Sequence, residues 1–394
     1  MRILFLVSSI YSTSGGLGGH YHSLLETVAQ VQKIHECFIV NIGSAPAKAL
    51  SKYNGNIKFI SFHSFRPFSV YRELANVVTS NSIDVVHSFD RVSFFWARVL
   101  KFRTDIGCVL TKCGGPNQGY LPYCSNTVFY SLENLNYYKN RFSSETENFQ
   151  LVPNRIVGFK SDWKRIQDIR ALYLDADLSN HKVLLRICRV GNVYKESIIA
   201  FIELVNSLNR DSIPSVGIII GTIEDHEVFS NLNRHSEDLG IHSKIVFIAD
   251  DIFTQNAKEL IDIADIVLGT GRSFMEAASK RKPLVFPLFD GSLAILTPEN
   301  FQDAFYYNFS QRVKIQNFDS HSNYFLIKSV LVSVDTYNLF SEYSECVFSK
   351  FFDASRLGEI YSKIYENSRL NSESIELIDC FKNFLLILKV YSFR

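Results

Sequence analysis

The sequence lacks any apolar run of the roughly 18 residues that a membrane-spanning helix needs, so no transmembrane segment is expected. It also lacks an excess of either charge: 41 Lys and Arg stand against 40 Asp and Glu, a net charge of +1. Such a chain has no overall field to gather nucleic acid, and no nucleic-acid partner is expected. The seven cysteines form no C-x-x-C pair and no zinc spacing, which predicts reduced thiols and no metal site.

The composition is that of a packed globular protein, with 46% apolar residues, 33 Phe and 19 Tyr. These values exclude a disordered chain. Because a domain typically holds about 100–200 residues, the 394 residues predict roughly two domains. The short apolar run after Met1 has no small-residue cleavage site and predicts a buried first strand. The aromatic, basic C-terminus predicts either a packed last helix or a peripheral membrane contact.

Short apolar runs alternate with segments of helical periodicity, the pattern of βαβ units in an α/β protein. The predicted strands are 3–7, 37–42, 57–62, 84–87, 108–111, 127–130, 183–187, 215–220, 244–248, 265–268 and 284–287. The predicted helices are 23–34, 70–81, 92–101, 195–209, 226–239, 257–263, 272–280, 355–365 and 374–388. The pattern predicts two doubly wound domains at 1–158 and 159–335, followed by helices at 336–394.

Ligands of open α/β sheets bind outside the carboxyl ends of the strands, so the loops after strands hold the candidate sites. A glycine-rich loop, residues 14–20, follows the first strand and contains Gly16 and His20. Glycines let the backbone approach an anion closely, and the helix that follows adds favourable partial charge. The loop lacks the lysine of a P-loop, and a flexible turn is the alternative.

Two later loops offer groups for a diphosphate. Arg189 and Lys195 follow the strand 183–187, where a planar guanidinium and a point charge would hold it from two sides. Gly271 and Ser273 follow the strand 265–268 and would direct N–H groups at a second anion. Glu276, about one helical turn further on, would accept hydrogen bonds from a sugar diol. Capped, solvated helix starts are the alternative for both loops.

Candidate catalytic groups follow the fourth predicted strand. His87 and Asp90, together with His20, are placed to act as acid, base or hydroxyl-binding groups in a shared cleft. Each of the three could equally be a satisfied structural residue. The sequence shows no carboxylate pair of glycosidase spacing and no G-x-S-x-G nucleophile elbow.

Together these residues resemble the GT-B glycosyltransferases, in particular the large retaining family of sucrose synthases and bacterial lipopolysaccharide and capsule enzymes. The resemblance covers most of the first 290 residues and is carried by Gly15, Gly16, His20, His87, Pro153, Asn154, Arg189, Lys195 and residues 271–283. It implies two Rossmann-like domains facing a cleft, an N-terminal acceptor domain and a C-terminal nucleotide-sugar domain. It also implies that the C-terminal helices pack back on the N-terminal domain.

The resemblance implies a role for several residues. Arg189 and Lys195 would bind the donor diphosphate, and Gly16 would lie near its distal phosphate. Glu276 would bond the ribose hydroxyls, and His87 would lie near the acceptor or the donor sugar.

The sequence departs from this family at three points. The acid that commonly stands eight residues before the ribose glutamate is Leu268 here, so N–H groups of the glycine-rich turn, with Arg272, are expected to hold that end of the donor. Arg189 and Lys195 stand one residue further apart than usual. Cys113 occupies a position where many relatives have histidine.

The expected function is transfer of a sugar, with retention, from a nucleotide-diphosphate donor of UDP or GDP type to a hydroxyl of a glycan or lipid-linked acceptor in bacterial surface polysaccharide synthesis. No metal or other cofactor is expected, because fixed cations and helix N-termini can neutralise the leaving diphosphate. The expected location is the cytoplasm, including the inner membrane face. Two alternatives stay open: a non-catalytic nucleotide-sugar-binding or scaffold subunit, and a nucleotide-sugar epimerase of the same fold.

Overall fold

The computed structural model describes residues 1–9, 18–51, 53–62, 67–142, 146–174, 178, 180–370 and 377–392. Its chain divides into two compact units: Met1–Val157 with Ala354–Arg394, and Gly158–Asp353. The first unit is therefore built from two separate parts of the chain, and the second from one continuous part. Gly16 lies outside the described residues, within 10–17.

The first unit contains a parallel sheet with the strand order β3-β2-β1-β4-β5-β6-β7. Its strands are β1 (Arg2–Ser8), β2 (Glu36–Gly43), β3 (Ile57–Ser61), β4 (Val85–Ser88), β5 (Gly107–Lys112), β6 (Thr127–Phe129) and β7 (Gln150–Leu151). Its helices are α1 (Gly19–Val31), α2 (Pro67–Ser80), α3 (Arg91–Lys101) and α4 (Leu132–Phe142), joined by α13 (Leu357–Leu370) and α14 (Leu377–Ser392) from the end of the chain.

The apolar sequence of β1 reflects burial on both faces of this sheet. Leu4 and Leu6 belong to one core cluster, whereas Ile3, Phe5 and Val7 belong to the other. This is the period of two that a strand imposes on its side chains. Helices α2, α3 and α14 supply the first cluster, and α1 and α13 supply the second.

The second unit contains a sheet with the strand order β10-β9-β8-β11-β12-β13, parallel except for the last strand. Its strands are β8 (Lys182–Ile187), β9 (Ser215–Ile220), β10 (Ile245–Ile248), β11 (Ile266–Leu268), β12 (Leu284–Pro287) and β13 (Leu293–Ile295). Its helices are α5 (Trp163–Tyr173), α6 (Lys195–Arg210), α7 (His226–Asp238), α8 (Asp251–Thr254), α9 (Arg272–Ala278), α10 (Phe301–Tyr306), α11 (Ser320–Val332) and α12 (Val334–Val347).

The predicted strands are all confirmed, each to within one residue at both ends. The segment 257–263 forms a 3₁₀ helix instead of an α-helix. The prediction missed β7, β13, α4, α5, α8, α10 and α11, which are short or carry weak apolar periodicity, and it gave no bounds for α12. The expected boundary at residue 336 falls inside α12, which packs on α9 and α11 of the second unit, and the chain returns to the first unit only at Ala354.

Each sheet has one point where the strand order reverses. In the first sheet β1 lies between β2 and β4, and in the second sheet β8 lies between β9 and β11. Loops leave such a pair of strands in opposite directions and open a crevice at their carboxyl ends. The fold therefore singles out the loops after β1 and β4, and those after β8 and β11.

The last helix, α14, packs on α3 through a buried ion pair. Arg98 Nη2 lies 2.7 Å from Asp379 Oδ2, and the Tyr120 hydroxyl donates to Asp379 Oδ1 at 2.9 Å. In the part of the chain that the structure describes, no helix is both long enough and apolar enough to cross a membrane.

We expect Gly221→Ala to lower the melting temperature by several degrees or to abolish the folded yield. A Cβ at Gly221 would lie 1.7 Å from the Cys188 carbonyl oxygen, so the end of β9 would have to move away from the loop after β8. Overpacking of this kind costs at least about 1–3 kcal/mol. Gly158→Ala is the matched control, because nothing lies within 4 Å of its Cβ position. Equal melting temperatures for the two variants, measured by circular dichroism, would contradict this packing.

Candidate functional site

The loop after β8 places a cation at the reversal point of the second sheet. The Arg189 side chain is half-exposed and forms an ion pair with Glu224, with 2.5 Å between Nη1 and Oε1. Its guanidinium carbon lies 5.8 Å from the centre of the Tyr194 ring. A carboxylate and an aromatic ring thus hold the guanidinium, which stays open to solvent on its remaining side.

Lys195 is the first residue of α6, which runs for 16 residues. The preceding residue, Tyr194, occupies the N-cap position and accepts no side-chain hydrogen bond from the first turn. Helix N-termini without a side-chain cap leave N–H donors for an anion, and the macrodipole favours negative charge there. Arg189, Lys195 and this helix end thus stand on one loop after β8, which we call the cationic site; that it binds a diphosphate stays a prediction.

A second arginine lies behind this site and was missed by the sequence analysis. Arg186, in β8, is completely buried. Its Nη2 donates to Ser197 Oγ at 2.7 Å, and its Nη1 lies 3.5 Å from the Leu268 carbonyl oxygen at the end of β11. The signal was present in the sequence, because Arg186 interrupts an otherwise apolar strand, Lys182–Ile187.

The turn before α9 uses part of its polar groups internally. The Gly271 N–H donates to the Phe309 carbonyl at 2.9 Å, and Ser273 Oγ accepts from the Thr270 N–H at 3.0 Å. The expectation that the Gly271 N–H is directed at an anion is corrected accordingly, whereas the call on the Ser273 N–H stays a prediction. Gly271 itself has φ +50 and ψ −114, a conformation that glycine tolerates and that starts α9.

Glu276 is buried on α9 and pairs with Arg272, one turn earlier on the same helix. The distance from Arg272 Nε to Glu276 Oε1 is 2.8 Å. An ion pair of this kind fixes the orientation of the carboxylate. Leu268, at the place where the resembling family has an acid, is buried in the core of the second unit.

In the first unit, Asp90 is bonded on every side by its own chain. Its carboxylate caps α3 by accepting from the N–H groups of Val92 and Ser93. It also accepts from the Ser8 N–H at 2.7 Å and from the Ser8 hydroxyl at 2.8 Å. The assignment of Asp90 as a catalytic group is therefore corrected: it joins the ends of β1 and β4 to α3.

His87 lies inside the first unit, with both ring nitrogens occupied. Nδ1 is 2.9 Å from the Tyr365 hydroxyl of α13, and Nε2 is 2.7 Å from the Thr111 hydroxyl of β5. The residue is fully buried, and its ring packs on Phe89. We therefore correct the expectation that His87 meets a sugar; its position gives it a structural role.

His20 is half-buried in the first turn of α1, which begins at Gly19. Burial lowers its pKa, although the carboxylate of Asp90 acts in the opposite direction. A neutral imidazole is the form that can accept a proton. His20 is the one predicted catalytic side chain that the described contacts leave compatible with such a role.

The comparisons with known proteins give a fold. No protein-family model matches the sequence, and no curated protein sequence matches it. A solved glycosyltransferase from Rickettsia africae is similar with a TM-score of 0.70 at 14% identity, over 94% of this chain and 99% of that one. Anabaena HepE in complex with UDP has a TM-score of 0.69 at 12% identity, over 93% and 100%. WaaG, a glycosyltransferase involved in lipopolysaccharide biosynthesis, has a TM-score of 0.55 at 15% identity, over 92% and 99%.

These similarities extend over almost the whole of each chain. They confirm the predicted fold class: the protein is an α/β protein with two Rossmann-like domains, the architecture of GT-B glycosyltransferases. Because a fold hosts many functions, the activity has to be argued from the residues described above.

We expect the stability of the wild-type protein to fall more steeply below about pH 6.5 than that of His87→Gln. Burial lowers the pKa of His87 from 6.5 to about 3, so the unfolded chain binds a proton that the folded chain does not. The stabilisation is complete above the unfolded pKa and is lost as the pH falls. Between about pH 7 and about pH 5 the stabilisation lost through His87 amounts to about 2 kcal/mol. Thermal melting at both pH values measures it; equal pH slopes for the two proteins would contradict the buried neutral imidazole.

Proposed function

We propose that this protein is a glycosyltransferase that moves a sugar from a nucleotide-diphosphate donor to a hydroxyl of a glycan or lipid-linked acceptor. The observation that carries the proposal is the cationic site at the reversal point of the second sheet, where Arg189 and Lys195 flank the N-terminus of α6. A diphosphate leaves a sugar readily only when its developing charge is neutralised. Fixed cations and helix N–H groups can do so.

In this proposal the second unit binds the donor. Arg189 would bind the diphosphate as a planar fork and Lys195 as a point charge. Glu276, held by Arg272, would accept hydrogen bonds from the ribose hydroxyls. The structures of HepE with UDP and with UDP-glucose support a donor of UDP type, and GDP stays the alternative.

The proposed transfer proceeds with retention. The bond between the anomeric carbon and the diphosphate oxygen breaks, and the acceptor oxygen bonds that carbon on the same face. The proton of the acceptor hydroxyl passes to the departing phosphate oxygen. No step of this scheme calls for a metal, so independence of added metal stays a prediction. His20 and the glycine-rich loop with Gly16 are the groups of the first unit proposed to assist it.

A non-catalytic nucleotide-sugar-binding subunit is the second candidate. The observation that favours it is the internal bonding of His87 and Asp90, which takes two of the three predicted catalytic side chains out of the reaction. Transfer of labelled sugar from the donor to an acceptor, or its absence across many acceptors, separates the two candidates.

The pathway and location are further parts of the proposal. A role in bacterial surface polysaccharide synthesis is supported by the likeness to WaaG, whose fold this chain shares. Such an enzyme would work in the cytoplasm beside the inner membrane face. Ile378, Phe381 and Leu385 lie exposed along α14 and are the side chains that would contact a membrane.

We expect one nucleotide among UDP, GDP, ADP, CMP and dTDP to raise the melting temperature of the wild type. We expect Arg189→Ala to abolish this stabilisation. The fold should stay intact because Arg189 is half-exposed. A nucleotide at about 100 times its dissociation constant adds roughly 2.7 kcal/mol, or several degrees. Arg234→Ala, at an exposed position of α7, is the control and should respond like the wild type. A full response in Arg189→Ala would reject the diphosphate assignment.

We expect Glu276→Gln to weaken binding of the nucleoside diphosphate by about tenfold or more and to leave pyrophosphate binding unchanged. A carboxylate accepts stronger hydrogen bonds from the ribose hydroxyls than an amide does, and pyrophosphate has no ribose. Isothermal titration measures both ligands, with Glu237→Gln on the exposed side of α7 as the control. An equal loss for both ligands would place Glu276 at the phosphates or in the fold instead.

A further inference from the structure

Arg186 is a buried cation that the proposed diphosphate site does not yet use. Its side chain is completely buried on the face of β8 that also carries Leu184. This face packs against apolar side chains of α6, among them Ile198 and Phe201. An arginine at such a position takes a permanent charge out of water, which is expensive unless an opposite charge lies nearby.

No carboxylate pairs with Arg186 among the residues that the structure describes. Its partners are the neutral oxygens of Ser197 and of the Leu268 carbonyl and the thiol of Cys188, whose pKa is raised by burial, and its Nε has no hydrogen-bond partner in the structure. The Tyr194 ring centre lies 5.8 Å from its guanidinium carbon. Neutral groups of this kind orient the guanidinium but leave its charge uncompensated.

The contacts of Arg186 converge on the start of α6. Ser197 accepts from Arg186 and donates its own hydroxyl proton to the Tyr194 carbonyl at 2.8 Å. The half-exposed Arg189 side chain contacts the same Tyr194 ring. One buried guanidinium therefore fixes the residues on both sides of Lys195.

We propose that Arg186 is a positioning residue for an anionic ligand, the diphosphate of the donor, at the N-terminus of α6. The inference rests on the proposed function, and it adds a residue that never touches the ligand. Arg186 holds the first turn of α6 in place through Ser197 and Tyr194. Its positive charge adds to the potential of the helix N-terminus in a region of low dielectric, where that charge is poorly screened. The diphosphate supplies the negative charge that the buried guanidinium lacks.

The test compares wild type, Arg186→Met and Arg186→Lys by thermal melting and by titration with pyrophosphate and with the stabilising nucleoside diphosphate. Methionine fills the site without a charge. Since a buried charge without a counterion is removed, Arg186→Met should melt at the same temperature as the ligand-free wild type or higher. Its affinity for both ligands should fall about 10- to 100-fold, the effect of losing an interaction with a charged group.

Arg186→Lys should recover part of the affinity, because it restores the charge without the planar fork. Arg186→Met should lose affinity by a similar factor at low and at high salt, because the buried charge of Arg186 is poorly screened. Ser197→Ala keeps the charge and removes the link to α6, and it should lose less affinity than Arg186→Met. A purely structural arginine would give none of these differences.

Several outcomes would overturn the inference. One is a ligand-free Arg186→Met protein that melts well below the wild type and is not rescued by lysine. Another is an Arg186→Met protein that binds both ligands with wild-type affinity. This would reject the inference about Arg186 but not the proposed donor site. A third outcome is that the wild type binds pyrophosphate but no nucleotide, and that Arg186→Met loses the pyrophosphate binding. This would support the anion role of Arg186 and reject the proposed function. Wild-type protein that binds neither ligand would reject both.

Discussion

The reversal of strand order beside β8 is the constraint on which the second unit depends. It sends the loops after β8 and β11 to opposite sides of one crevice at the carboxyl edge of the sheet. Three observations follow from this placement: Arg189 is exposed in the first loop, Glu276 follows the second, and Arg186 bonds both the Leu268 carbonyl of β11 and the Ser197 hydroxyl of α6. A close approach at Gly221 holds the end of β9 against the same loop.

Much of the fold could be predicted from the sequence because buried parallel strands are continuous apolar runs, and these are easily found between turns. The positions of Arg189, Lys195 and Glu276 after strands could be predicted for the same reason. The state of their polar groups could not. Whether the Gly271 N–H is open depends on Phe309, a residue far along the chain that closes it.

His87 and Asp90 are two further residues whose hydrogen-bond partners could not be predicted from the sequence. Each follows or ends a strand at the edge where ligands bind, and each has a side chain suited to catalysis. Their partners come from distant segments, however: Tyr365 lies on a helix of the C-terminal part, and Ser8 ends the first strand. The local sequence does not indicate such partners. A structural residue with satisfied hydrogen bonds therefore cannot be distinguished from a catalytic residue by sequence. Arg186 is a residue that the sequence analysis did not select. Its burial without a counterion can be recognised only once the structure shows its neighbours.

The return of the chain to the first unit at Ala354 has a consequence for synthesis on the ribosome. The second unit is continuous and can fold as soon as residues up to Asp353 have emerged. The first unit cannot complete its core until α13 arrives, because Tyr361, Ile364 and Tyr365 of that helix fill one face of its sheet. Domains usually fold in the order of their synthesis. Here the first unit, whose synthesis begins first, completes its fold after the second unit. During that interval the apolar face of the first sheet that α13 covers stays exposed to solvent.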